Sequence, residues 1–141
     1  MGDYKDSKET HDNLIQNVSI KIPYVISASN WHTIGLKKDG TVVATGNNDD
    51  GQCDISSWKD IIIISAGGNH TVGLKKNGTV VAMGNNYDGQ CNVSDWKDII
   101  AVSAGSGHTV GLKKDGTVVA VGANYYGQCD VSGRTLKVVE Q

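Results

Sequence analysis

One unit of 38 residues is written three times in this chain, and that repetition limits its fold more than any other feature. His32-Thr33-Ile34-Gly35-Leu36-Lys37-Lys38-Asp39-Gly40-Thr41-Val42-Val43-Ala44 returns from His70 to Ala82 and again from His108 to Ala120, at a constant spacing (70 less 32, then 108 less 70). Repeats of this length are stacked or radial supersecondary units, none of which can bury its apolar face alone. Neighbouring copies must cover one another.

The middle of the chain shows what one unit builds. Ile61-Ile62-Ile63-Ile64-Ser65 and its counterpart Ile99-Ile100-Ala101-Val102-Ser103 are short β-branched runs, the pattern of a strand buried on both faces. His70-Thr71-Val72-Gly73-Leu74-Lys75 alternates large and small residues, as a strand with two different faces does. Asn77-Gly78, matched by Asp39-Gly40 and Asp115-Gly116, supplies a hairpin turn. Thr79 to Met83 is the return strand, Asn85 to Cys91 a loop, and Asn92-Val93-Ser94 suits a short outer strand. Three or four antiparallel strands without a helix make a propeller blade. The fold class is therefore all-β, a partial arc of three β-propeller-type blades. With 18 glycines, one proline and no phenylalanine, the composition suits short strands and tight turns.

The repeats run over residues 20–133, Tyr24-Val25-Ile26-Ser27-Ala28 matching the first strand of the later units. Residues 1–19 form a polar tail, expected to be disordered. Residues 134–141 form a C-terminal strand or tail. Within them, Thr135–Val139 reads as a terminal strand that either caps the last blade or pairs with something outside it. The formal charge of −2 is spread without a basic run, which counts against nucleic acid and anionic membrane as partners. The polar N-terminus holds no apolar signal core and nothing later suits a bilayer span, so the expected location is cytoplasmic.

Cys53, Cys91 and Cys129 occupy one position of the repeat. Equivalent positions of radial units stay a blade apart, too far for a disulfide, and no Cys-x-x-Cys pair invites zinc. They read as small half-buried side chains. His32, His70 and His108 are spread around the arc in the same way, and each is expected to hydrogen-bond a neighbouring loop rather than share a metal. Asn47 to Gly51 lacks the alternating acids and terminal glutamate of a calcium loop. No nucleophile-and-base pair or phosphate-cradling loop appears. No catalytic residue, metal or cofactor is assigned, and the chain reads as non-enzymatic.

The repeats resemble those of the regulator-of-chromosome-condensation family. The residues that carry the resemblance are His32, His70 and His108; Gly40-Thr41-Val42, Gly78-Thr79-Val80 and Gly116-Thr117-Val118; Gly46-Asn47-Asn48, Gly84-Asn85-Asn86 and Gly122-Ala123-Asn124; and the Gly-Gln pairs at 51–52, 89–90 and 127–128. The short blade is also similar to bacterial members, including propeller-type β-lactamase inhibitory proteins. The resemblance implies a propeller usually closed by about seven blades, and guanine-nucleotide exchange or enzyme inhibition as functions. The Leu-Gly that follows Gly-Gln in the family is Cys-Asp or Cys-Asn here. Three blades leave apolar sheet faces open. Two chains can then associate into a six-blade ring, the chain can be a scaffold piece of a longer propeller, or the arc can stand alone with marginal stability.

Positions shared by all repeats are accounted for by building a blade, so a binding surface is expected where they differ. The candidate residues are Trp31 and Asn69, before the histidines, and Tyr87, Tyr125 and Tyr126, on the loop before Gly-Gln. Aromatic loop residues are the type enriched at interface hot spots. The competing expectation is that these tyrosines pack on the neighbouring blade. The leading functional expectation is a propeller-repeat module that binds another protein or completes its ring by self-association.

Overall fold

The computed structural model describes residues 26–136. The polar tail 1–19, the start of the first repeat at 20–25 and the end of the C-terminal segment at 137–141 lie outside the described residues. Each repeat forms one three-stranded antiparallel sheet. The first holds β1 (Ile26–Ala28), β2 (His32–Leu36) and β3 (Val42–Gly46). The second holds β4 (Ile61–Ala66), β5 (His70–Lys75) and β6 (Val80–Gly84), and the third β7 (Ile99–Ala104), β8 (His108–Lys113) and β9 (Val118–Gly122). The order in every sheet follows the chain, as in a propeller blade. Successive blades touch mainly through β1 with β4, β4 with β7, β2 with β4, and β5 with β7. The blades therefore converge on their first strands.

The hairpins between the second and third strands differ in detail from the two-residue turn that Asp-Gly implies. Gly40 N–H donates to the Lys37 carbonyl and Lys37 N–H to that of Thr41, closing a longer turn. Gly40 alone takes the left-handed conformation, at φ 83°. Asp39 instead accepts from the N–H and hydroxyl of Thr41, at 3.0 and 2.6 Å.

Two cores form, each between blades rather than within one. Ile34, Leu36 and Val42 of the first blade close on Ile55, Trp58, Ile61 and Ile64. Val72, Leu74 and Val80 of the second close on Val93, Trp96 and Ile99 in the same way. Each of these two indoles packs against a glycine of the next blade: a Cβ built on Gly73 would come within 2.9 Å of the Trp58 ring, and one on Gly111 within 2.8 Å of Trp96. Blade-to-blade burial is what the repeat argument requires.

Three expectations change. The Ile-rich strands are not buried on both faces: the register shifts between Ile61 and Ile63 and between Ile99 and Ala101, and Ile62 and Ile100 turn outward. Such a bulge places two residues opposite one and re-aims the side chains that follow. Asn92-Val93-Ser94 is loop rather than outer strand, because Val93 is drawn into the inter-blade core. The C-terminal strand is represented, among the described residues, by one bridge between Thr135 and Thr117, with Leu136 N–H donating to the Gly116 carbonyl at 2.8 Å.

Candidate protein-binding face

The antiparallel order sends the turn between the first two strands of each blade and the loop after its third strand to the same end of the sheet. Asn47 N–H donates to the Trp31 carbonyl at 2.8 Å, Asn85 to Asn69 at 2.9 Å and Ala123 to Gly107 at 2.8 Å, tying the two segments together in every blade. Trp31, Asn69, Tyr87, Tyr125 and Tyr126 consequently lie on one face of the arc. The Lys-Lys hairpins lie on the other.

The loop after the third strand is held by its own side chains. The Asn85 amide oxygen accepts from Tyr87 N–H and from the Gln90 amide, at 3.0 and 3.1 Å. The Gln90 amide oxygen accepts from Asp88 N–H, and that of Asn86 from Cys91 N–H. The Cys91 thiol points back at the Asn85 carbonyl at 3.3 Å, and burial pushes its pKa up to about 11. The recurring Gly-x-Asn and Gly-Gln elements thus clasp one another, and the pair of residues between them is displayed outward. That pair is Asp49-Asp50, Tyr87-Asp88 and Tyr125-Tyr126 in turn.

The tyrosines do not pack on the neighbouring blade. Tyr87, Tyr125 and Tyr126 are 92%, 80% and 95% exposed, and Trp31 is 60% exposed. Only the Tyr125 hydroxyl reaches across, donating to the Asp88 carboxylate at 3.2 Å. The side chain of Asn69 is exposed and its carbonyl holds the loop. The six segments at this face (29–31, 47–54, 67–69, 85–92, 105–107 and 123–130) contain Asp49, Asp50, Asp54, Asp88 and Asp130 and no lysine or arginine; Lys59 and Lys97 come later, where the loops return to the next blade. An acidic field with standing aromatic rings attracts cations and offers π faces to guanidinium or ammonium groups.

The histidines serve the blade joints. His32 Nε2 lies 2.8 Å from Thr71 Oγ1 of the next blade, and that hydroxyl donates to the Gln52 carbonyl at 2.7 Å. His70, Thr109 and Gln90 repeat the arrangement at the same distances. Since the threonine proton is committed to the glutamine carbonyl, the histidine must be the donor, which fixes the tautomer with hydrogen on Nε2. Nδ1 is then a bare acceptor. Ser29 meets it in His32 at 3.0 Å, whereas His70 Nδ1 is buried without a partner beside Gly67. Burial first, then the neighbouring His32 and His108, push the His70 pKa down to about 4. The sequence pointed to histidine hydrogen bonds but to neighbouring loops as their partners. The acceptor is a strand threonine, and the recurrent His-Thr dipeptide was the available signal.

Three radially arranged antiparallel blades, joined through buried cores and a repeated histidine–threonine–glutamine relay, define a propeller-repeat protein. The family model for the regulator of chromosome condensation (RCC1) repeat matches residues 25–52, 61–90 and 99–128, and the chain belongs to that family. A search of curated proteins gave no significant match. Among solved structures, the chain is similar to Prp20p from Saccharomyces cerevisiae, with 22% identity over 69% of this chain and 30% of that one and a TM-score of 0.58. That protein is described with binding to Gsp1p and histones. Human WBSCR16 matches with 21% identity over 72% of this chain and 34% of that one, at a TM-score of 0.63. The C-terminal domain of gp131 from bacteriophage phiKZ matches with 17% identity over 94% of this chain and 46% of that one, at 0.52. The chain spans about a third of the length of the first two and under half of the third. At these identities the likeness is one of fold.

Proposed function

We propose that the chain is a non-catalytic protein-interaction module whose acidic, aromatic face takes a basic segment of a partner protein. The observation that carries this is the standing row of Tyr87, Tyr125 and Tyr126, with Trp31, among aspartates and without a basic side chain in the surrounding loops. Arginine and lysine stack on such rings and pair with such carboxylates, a combination that gives both attraction and register. The binding of Prp20p to protein partners is consistent with this use of the fold and assigns no residue here.

Selection from a random displayed-peptide library on the immobilised chain tests the proposal. Enrichment of Arg- and Lys-rich peptides, lost in 0.5 M salt (about 4 Å screening) and lost in a chain with Trp31, Tyr87, Tyr125 and Tyr126 changed to serine, is the expected result. Peptides without a basic bias, or binding indifferent to the four substitutions, would refute it.

Self-association is a second reading, favoured by one observation. The outward face of the first blade is apolar, with Ile26 72% exposed where its counterpart Ile64 is buried. A face of this kind is covered twice within the chain, in each case by the preceding blade.

A further inference from the structure

We infer that two copies join head to tail through a third, intermolecular version of the blade joint, in which Thr33 of one copy accepts His108 and donates to the Gln128 carbonyl of the other. This rests on the self-association reading above and specifies its chemistry. Inside the chain, the joint is made twice from the same parts: a histidine and a glutamine carbonyl on the trailing side of one blade, and a threonine hydroxyl on the leading side of the next. Thr71 and Thr109 are fully buried there, whereas Thr33 stands exposed on the open side of the first blade. At the other end of the arc, the His108 side chain makes no hydrogen bond among the described residues, and the Gln128 carbonyl receives no threonine. One end lacks what the other end presents.

The same complementarity holds for the apolar and backbone groups. Leu74, Val80 and Val93 are buried by the third blade, and their counterparts Leu112, Val118 and Val131 are only half-buried. Across the open end they would meet Ile26 and Val43, the counterparts of Ile64 and Val81. Ala66 N–H donates to Ser27 Oγ at 3.0 Å and Ala104 N–H to Ser65 Oγ at 2.9 Å, so Ser103 is the next acceptor and Ala28 the donor it fits. A second copy is the occupant with all of these groups in the right order. The joint is heterologous, and two copies related by a two-fold axis would make it twice.

One feature weakens the third joint relative to the internal two. Arg134 N–H donates to the Val131 carbonyl as Trp58 and Trp96 do to Ile55 and Val93, so Arg134 holds the position of the indoles. It has no flat ring to lay over Gly35 of the other copy. The intermolecular joint is accordingly weaker than the internal two, and Arg134→Trp should strengthen it.

Light scattering on a size-exclusion column, over a dilution series of the full chain, tests this. The expected result is a dimer near twice 14.9 kDa that dissociates on dilution. The dissociation constant should rise at least about thirty-fold in Thr33→Val and fall at least about ten-fold in Arg134→Trp. Thr33→Arg and Val131→Glu should each be monomeric, yet mixing them should restore a one-to-one dimer, because each retains the end that the other has lost. Far-ultraviolet dichroism and melting of each variant check that the blades remain folded, and Arg134→Trp gives a gain that misfolding cannot mimic. A wild-type chain that is monomeric throughout would overturn the joint and the self-association reading together. A dimer indifferent to Thr33→Arg would overturn the joint and leave self-association standing. Two monomeric variants that do not recombine would overturn the head-to-tail geometry.

Discussion

Thr71 is the side chain on which the first joint turns, and replacing it by valine measures what the relay contributes. Valine keeps the shape and the methyl group and removes only the hydroxyl. Two buried groups then lose their partner at once: the His32 Nε2 hydrogen, 2.8 Å away, and the Gln52 carbonyl, 2.7 Å away. His32 and Gln52 are themselves buried, so water cannot replace the hydroxyl without opening the joint. Each orphaned group costs about 1–3 kcal/mol, partly offset by burying a methyl in place of an oxygen. The net loss expected is about 2–4 kcal/mol, a large part of the roughly 5–15 kcal/mol that holds a domain together. Thr71→Ser keeps the hydroxyl and loses one methyl, for about 1 kcal/mol. Urea unfolding at pH 7.5, followed by tryptophan fluorescence, resolves the two. With a slope of about 1–3 kcal/mol per molar, the valine variant should unfold roughly 1–2 M earlier than wild type. Thr109→Val should behave like Thr71→Val, since Thr109 sits between His70 and Gln90 in the same bonds. If valine proves no worse than serine at position 71, the relay does not hold the blades and the reasoning fails.

Acid should weaken the fold through His70. Its pKa falls from 6.5 in the unfolded chain to about 4 in the folded one, so the neutral ring's contribution is complete above pH 6.5 and is lost as pH falls from there to 4. The span corresponds to about 3 kcal/mol. Urea midpoints at pH 7.5 and 4.5 should therefore differ much less in His70→Gln, which keeps a donor for Thr109, than in wild type; equal differences would remove His70 from the account. Gly73→Ala would place a methyl group within 2.9 Å of the Trp58 ring, and thermal unfolding should show a loss of about 1–3 kcal/mol with a changed Trp58 environment. An unchanged melting temperature would mean that the indole moves aside freely.

The blade was legible because its periodicities are local. The alternation of His70, Val72 and Leu74 places those residues on one side of a strand, and the structure bounds that strand at His70 and Lys75. The runs of isoleucine misled because a bulge has no composition of its own: Ile61 and Ile64 are buried while Ile62 is not, and no residue type in the run marks the shift. Val93 suits a strand by sequence alone, but it is buried by the next blade and not by its neighbours in the chain. The candidate face was half legible. That Tyr87, Tyr125 and Tyr126 sit on loops followed from Asn, Asp and Gly around them. That they share one end with Trp31 and Asn69 followed only from strand order. For the His32–Thr71 bond the sequence offers only the recurrence of His-Thr and not the pairing, since its partners are 39 positions apart and meet only once the blades are stacked.

The way each joint divides its parts between blades also bears on how such a chain can change length. Every repeat carries the histidine and glutamine that its successor needs and the threonine that its predecessor needs. Duplicating one unit in the gene therefore inserts a complete socket and a complete plug, and both new seams match without any further substitution. Deleting a unit closes the gap with the same fit. A lineage built this way can drift between three blades and many without passing through a misfit intermediate, and selection is left free to rewrite the two displayed residues of each loop.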